Sequence, residues 1–377
     1  MRIFTHPKPV ECAVCGESSA LISEFLGVCA NCIKNKWEDS LPYLKRAHQI
    51  SRERFNLPIE PPRASNGVSC ELCVNKCTIP AGGMGYCGLR MNEAGKLKHI
   101  GGTAERGILE WYYDPLPTNC VANEICPGCA GTGYPKYSHA DRKPEYGYKN
   151  LAVFYGACTF NCLFCQNWHY RYLTNKRAPC YSAEELASKV DPYTSCICYF
   201  GGDPTPQLPH AIQTSKIALE RNRDKILRIC FESNGTMSLA LCKQIAELSL
   251  VSGGNIKFDL KSFEERLNIA LCGVTNKQTL KNFEYLAEAG KQRREPKFLT
   301  ASTLLIPGYI DASEVEKISK FIASLDPEIP YSLLAFYPQF FLSNLPTTPR
   351  KQAEECLQAA RKAGLKEVWI GNIHLLS

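Results

Sequence analysis

Twenty-one cysteines in a chain of 377 residues constrain this sequence more than any other feature, because many of them recur at C-x2-C or C-x3-C spacing. Close-set thiols of this kind become either disulfides or metal ligands, and the compartment decides between them. The first residues, Met1-Arg-Ile-Phe-Thr-His-Pro7, show no basic segment followed by an apolar one, so the expected location is cytoplasmic and the expected role is metal ligation. Apolar runs fall short of the roughly 18 residues that a bilayer requires, so no membrane association is expected.

The cysteines divide the chain. Eleven lie between Cys12 and Cys129, in a stretch rich in Gly and Pro turn signals with little helical or strand periodicity. From Leu151 onward short β-branched and aromatic runs alternate with longer helical patterns, the signature of stacked βα units on a parallel sheet. Six strands are expected at 151–155, 196–200, 226–231, 255–259, 298–306 and 331–336, with a possible seventh at 367–370. Helices are expected near 182–190, 208–221, 238–248, 276–289, 313–325 and 349–363. Ser182 with Glu185, and Ser313 with Glu316, read as capping boxes. Three regions follow: 1–60, a zinc-ribbon-like module with a linker helix; 61–149, a cysteine-rich segment; and 150–377, an α/β domain. The net charge of +7 is scattered, and Lys291, Arg293 and Arg294 read as a solvated helix end.

The sharpest motif is Cys158-Thr-Phe-Asn-Cys162-Leu-Phe-Cys165, directly after the first apolar strand. Three thiolates can hold three irons of a cubane cluster and leave the fourth iron open, and an open coordination position marks a catalytic site rather than a structural one. A zinc site would need a fourth ligand, for which His169 is near in sequence. The second strand ends in Gly201-Gly202-Asp203-Pro204, the third in Glu232-Ser233-Asn234-Gly235, and the fourth in Asp259-Leu260-Lys261. Barrel enzymes build their sites at such strand ends.

In these motifs the chain resembles the radical S-adenosylmethionine (SAM) superfamily, in its pyruvate formate-lyase activating enzyme-like and AmmeMemoRadiSam-type branch. Leu304-Leu-Ile-Pro307-Gly308-Tyr309, Leu333–Gln339 and Ile370-Gly371-Asn372-Ile373 also match that branch, and with the segment from Cys70 the resemblance covers about 300 residues. It implies a partial (β/α)6 TIM-like barrel with a metal-stapled N-terminal region. It implies a [4Fe-4S] cluster on Cys158, Cys162 and Cys165, and SAM contacts from Phe164, Gly201, Gly202, Asp203, Ser233, Asp259 and Lys261. Glu232 stands where the family has an aspartate that serves a monovalent cation, and Tyr337 stands where members often have a histidine.

The other cysteines form groups. Cys12, Cys15, Cys29 and Cys32 make two knuckles at the spacing of four-thiolate zinc sites, with a rubredoxin-like iron or an accessory cluster as alternatives. Cys70, Cys73, Cys77 and Cys87 suit zinc or an auxiliary [4Fe-4S] cluster. Cys120, Cys126 and Cys129 are one short of a closed site; Cys87, Cys180 or His139 could complete it, or a second cluster could keep an open iron. Cys180, Cys196, Cys198, Cys230, Cys242, Cys272 and Cys356 lie in apolar patterns and read as core thiols.

The resemblance implies an enzyme, an activating-enzyme-like oxidoreductase. An electron donor such as ferredoxin or flavodoxin would reduce the cluster, SAM would be cleaved, and a 5′-deoxyadenosyl radical would abstract hydrogen from a substrate. A protein or peptide substrate is the first expectation; a small molecule and a nucleic acid remain open. The rival from another class is an iron-sulfur and zinc electron carrier or nucleic-acid-binding scaffold, which would have no use for the SAM-site motifs.

Overall fold

In the computed structural model, which describes residues 8–377, the apolar runs of the second half assemble one nine-stranded sheet. The segment Met1–Pro7, on which the expected absence of a leader rests, lies outside the described residues. The strands, in chain order, are β1 (Gly107–Pro115), β2 (Lys149–Tyr155), β3 (Cys180–Tyr181), β4 (Thr194–Gly201), β5 (Arg228–Ser233), β6 (Ile256–Asp259), β7 (Leu299–Leu305), β8 (Tyr331–Ala335) and β9 (Val368–Gly371). They lie in the order β9-β8-β7-β6-β5-β4-β2-β1-β3. From β2 through β9 the neighbours in this row are parallel, with helices in the connections. The possible seventh parallel strand is therefore present as β9. This is the expected α/β partial barrel: its row of strands is open, with β9 at one edge.

Two strands of this sheet were not anticipated. β1 pairs antiparallel along β2, so the sheet begins well before residue 150, and β3 pairs with β1. β1 reads Gly-Ile-Leu-Glu-Trp-Tyr-Tyr-Asp-Pro, an aromatic run with charges inside it, as suits a strand covered on one face only.

Alternation fixes which side chains enter the barrel. Tyr199 and Phe231 stack on each other outside the strands, and Tyr199 takes a hydrogen bond from Ser215 of the helix Leu208–Arg221. The residues in the opposite phase therefore face inward: Cys196, Cys198 and Phe200 on β4, Arg228, Cys230 and Glu232 on β5, and Lys257 and Asp259 on β6.

The Ser182–Glu185 capping box is made in both directions, with Ser182 Oγ accepting from Glu185 N at 3.1 Å and Glu185 Oε2 from Ser182 N at 2.7 Å. The second expected box is not. Asp311, two residues earlier than Ser313, caps the helix Ala312–Leu325 by accepting from Glu314 N at 2.9 Å. Asp is as good a cap as Ser, and the turn at Gly308 brings the chain into position sooner. Arg293 is also no solvated helix end: it is buried and donates to the carbonyls of Ser249, Leu250, Gly254 and Pro296, around the end of the helix Leu239–Ser252.

The N-terminal module packs directly on the barrel, and Ile22, Leu26, Val28, Ile33 and Leu44 share its core cluster. Pro307-Gly308-Tyr309 serves this docking. Tyr309 Oη donates to Val28 O and accepts from Ser23 N, both at 3.0 Å, and a Cβ on Gly308 would lie 2.2 Å from Leu21 O. The linker helix Trp37–Glu53 then crosses behind the loop that carries Cys158 to Cys165.

Candidate active site

The loop after β2 carries the three radical-motif cysteines and is fastened from behind. Asn161 N and Leu163 N donate to Cys272 O and Leu271 O, at the end of the helix Glu265–Cys272. The Asn161 side chain donates to His48 Nδ1 at 2.9 Å and Ser51 Oγ at 2.6 Å, and accepts from Arg171 at 3.0 Å. His48 Nε2 faces the carbonyls of Ile269 and Ala270 at 3.1 and 3.0 Å, so it carries the ring proton and Nδ1 is the acceptor. Burial pushes His48 down to about 4, which keeps this tautomer neutral.

Cys158, Cys162 and Cys165 open into a cavity of about 550 Å³. Phe164, Gly201, Gly202, Asp203, Ser233, Asp259 and Lys261 line the same cavity, so the residues singled out from four separate strand ends meet in one place. Leu304, Leu334, Tyr337, Gln339 and Asn372 close its far side. Gly201 and Gly202 have a steric reason to be glycine. A Cβ on Gly201 would lie 2.5 Å from Tyr155 N, and one on Gly202 would lie 2.2 Å from Ala157 O, so the end of β4 can approach β2 only without side chains.

Burial and the nearby Asp203 charge raise the Cys158 thiol; its contact with Cys272, and burial, raise Cys162; burial raises Cys165. As free thiols all three are neutral, and a metal must displace their protons. The surroundings favour an anionic centre. Asn234 Nδ2 points at Cys158 Sγ from 3.8 Å, Phe160 N donates to the same sulfur at 3.4 Å, and the buried Arg171 keeps its Nε without a hydrogen-bond partner. An unpaired guanidinium donor beside three cysteines fits an iron-sulfur cluster. His169, the fourth ligand a zinc reading would need, stacks on Phe154 with ring centroids 4.9 Å apart.

Asp203 spends its carboxylate inside the protein, accepting from Asn234 N at 2.7 Å, Thr205 N at 2.8 Å and Ser233 Oγ at 3.1 Å. It thereby ties the glycine turn to the loop after β5. Lys257 is the residue that sequence reasoning missed. Its ammonium lies between two carboxylates, 3.1 Å from Glu232 and 2.9 Å from Asp259, while Lys261 reaches Asp259 at 2.8 Å and Ser302 donates to it at 2.6 Å. Against the effect of burial, Lys257 and Lys261 hold Asp259 far below the usual carboxylate range, and Asp259 and Glu232 hold Lys257 charged. The signal was a lysine two residues ahead of Asp259 on the same strand face, inside an otherwise apolar run.

The four sulfurs of Cys12, Cys15, Cys29 and Cys32 all lie within 4.8 Å of one another. Four sulfurs around one tetrahedral zinc stand about 3.8 Å apart, and Cys15 and Cys29 are at 3.9 Å. Against its burial, backbone donors of Cys29, Val14 and Cys15 hold the Cys12 thiol down at about 6. Among the described residues this is the one group of three or more ligands so tightly drawn. Cys70, Cys73, Cys77 and Cys87 line a single small cavity, but their sulfurs do not form such a group. Arg90 also lines that cavity, is buried, and has an unpartnered Nε. Cys120, Cys126 and Cys129 are not completed by His139, which stacks on Tyr148 at 4.0 Å.

Residues 152–322 match the sequence profile of the radical SAM superfamily. The matched stretch runs from β2 into the helix Ala312–Leu325 and is similar to a radical SAM domain. The chain is similar to an uncharacterized protein of Methanocaldococcus jannaschii, 24% identical over 320 residues that make up 82% of each chain. It is similar as well to a protein of the same organism named as a glycyl-radical enzyme activating enzyme, 28% identical over 215 residues, 55% of this chain and 74% of that one. Among solved structures, a domain of pyruvate-formate lyase-activating enzyme from Bacteroides vulgatus aligns with a TM-score of 0.37 and 23% identity, covering 46% of this chain and 98% of its own. Among the described residues, no helix is long and apolar enough to cross a membrane.

Proposed function

We propose that this radical SAM domain cleaves SAM reductively at a [4Fe-4S] cluster held by Cys158, Cys162 and Cys165, and that hydrogen is then taken from a protein or peptide substrate. The observation that carries the reading is the shared cavity, in which three open thiols face the strand-end polar groups. When bound, the cluster supplies the electron that splits the sulfonium of SAM into methionine and a 5′-deoxyadenosyl radical.

The chain's own residues bind and orient. In this reading Lys261 pairs with the SAM carboxylate and the Gly201-Gly202 backbone receives its amino group, which is supported by the lack of a side chain there. Phe164 offers an apolar wall beside Lys261, whose ammonium is 5.8 Å from the ring centre. Asp203 and Ser233 hold the two loops in register, and the linker helix holds Asn161. Lys257 supplies the positive charge between Glu232 and Asp259, so a monovalent cation is not required there.

The protein-substrate reading is supported by the similarity to the protein named as an activating enzyme. A reductant of the ferredoxin or flavodoxin kind belongs to the same reading. Zinc at Cys12, Cys15, Cys29 and Cys32 is supported by their close grouping. An auxiliary [4Fe-4S] cluster at Cys70, Cys73, Cys77 and Cys87 is supported by their setting around one small cavity with an unpaired Arg90 donor.

Anaerobic reconstitution with iron and sulfide, followed by SAM and a strong reductant, tests the chemistry. Formation of 5′-deoxyadenosine and methionine is expected, and an intact cluster that leaves SAM uncleaved would overturn the reading in favour of an electron carrier. Co-expression with candidate glycyl-radical enzymes tests the substrate, by the appearance of a protein-centred radical in electron paramagnetic resonance (EPR) spectra; its absence with every candidate would remove the activating-enzyme assignment.

A further inference from the structure

The interior of a parallel barrel is ordinarily packed with branched aliphatic side chains in layers. Here three of the inward side chains on β4 and β5 carry sulfur instead. Cys196 and Cys198 on β4 and Cys230 on β5 face inward, and Cys198 and Cys230 are direct partners across the two strands. The segment 116–148 enters the barrel from the opposite end to the cavity mouth and brings three more thiols. It is anchored by a fully buried ion pair: Arg228 donates to Glu145 at 2.8 and 2.7 Å, to Ser195 Oγ, and to Tyr137 O.

This plug seats its cysteines against those of the strands. Cys129 and Cys196 are buried in one cluster with Cys126 packed against it, separate from the main hydrophobic core. Cys120 Sγ approaches Glu232 Oε1 at 3.4 Å, and its neighbours Asn119 and Val121 line the floor of the SAM cavity. The sulfurs are not gathered as tightly as those of the N-terminal knuckles, for among the described residues only that group has three or more ligand atoms all within 4.8 Å. A single tetrahedral ion draws its sulfurs to about 3.8 Å. Thiols brought side by side from a plug and two adjacent strands, and spread more widely than one tetrahedral ion draws them, suit a polynuclear centre.

We infer that Cys120, Cys126, Cys129, Cys196, Cys198 and Cys230 form an iron-sulfur site in the floor of the barrel, with its ligands drawn from both the plug and the strands. The site is distinct from the radical-motif cysteines at the cavity rim and from the Cys70–Cys87 group outside the sheet. A molecule bound in the cavity then lies between the rim cluster and the floor cluster.

The test uses full-length protein in which Cys158→Ala, Cys162→Ala and Cys165→Ala remove the rim site. This parent is reconstituted anaerobically with iron and sulfide, alone and with either Cys126→Ala/Cys129→Ala or Cys198→Ala/Cys230→Ala added. Native mass spectrometry and Mössbauer spectra count the clusters, and circular dichroism checks folding. Each pair is expected to remove the same one cluster, whereas Cys73→Ala/Cys87→Ala removes a different one. Retention of all the parent's iron by both pairs would overturn the inference, as would zinc in place of iron at this site. Should an alanine pair unfold the chain, Cys129→Ser in the same parent shifts the spectrum of one cluster if the site exists and leaves every spectrum unchanged if it does not.

Discussion

The N-terminal knuckles and the radical-motif loop use the same side chain to opposite ends. In the first, four sulfurs close on one another within 4.8 Å in a small module. In the second, three sulfurs are held from behind by Asn161, His48 and the end of a helix, and they face a cavity of about 550 Å³. A closed set of ligands stores folding energy, whereas an open set leaves a coordination position for chemistry. The two regions meet through the linker helix, so the structural site also braces the reactive one.

The largest effect expected from breaking this contrast is on the open side. Cys158→Ala, Cys162→Ala or Cys165→Ala should drop SAM cleavage to the background of cluster-free protein while thermal unfolding of the N-terminal module is unchanged; assays of 5′-deoxyadenosine beside calorimetry check both. The mirror change, Cys32→Ser or removal of the knuckle metal by a chelator, should act mainly on stability. A loss of several kcal/mol is expected, because metal binding and folding of so small a module are one process. Measured by denaturant titration, it should exceed any loss from a radical-loop substitution.

Within the cavity, Lys257→Met leaves Glu232 and Asp259 facing each other without their shared cation. Breaking a buried pair in this way costs roughly 3–5 kcal/mol. The variant should gain a dependence on sodium or potassium for SAM binding, measured by titration calorimetry, and the wild type should show none. The smallest effect concerns the join. His48 is held at about 4 in the folded chain against an ordinary value near 6.5, so between those values the unfolded chain binds more protons and stability falls as the pH falls. From pH 7.5 to pH 5 the loss is about 2 kcal/mol. His48→Gln should lessen the loss of stability between the two pH values by about that amount, whatever its effect at pH 7.5, while His210, also pushed down to about 4 by burial, keeps its own share; equal pH dependence in both proteins would remove His48 from this role.

How much was legible differed along the chain. In the barrel, each strand is a short apolar run and each site residue follows one, so local pattern and motif order were enough to bring Cys158, Gly201, Ser233 and Asp259 to one face. Ahead of residue 150 the pattern is weak. The strand Gly107–Pro115 escaped because its charged and aromatic residues face a partly open surface, and it is a strand only through pairing with its neighbour. Tyr309 read only as part of a segment that matches the family branch, yet it fastens the N-terminal module, a role visible only once Val28 and Ser23 lie against it.

The cysteines show the same division most clearly. Spacing along the chain singled out the thiols at Cys12 to Cys32 and those of the radical loop at Cys158 to Cys165, because residues a few apart stay near one another whatever the rest of the fold does. Cys196, Cys198 and Cys230 are indistinguishable in sequence from buried core thiols such as Cys242 and Cys356. Only the tertiary structure turned them inward and set the plug cysteines against them, since which face of a strand meets which loop is fixed by sheet register and barrel closure and not by neighbours in sequence.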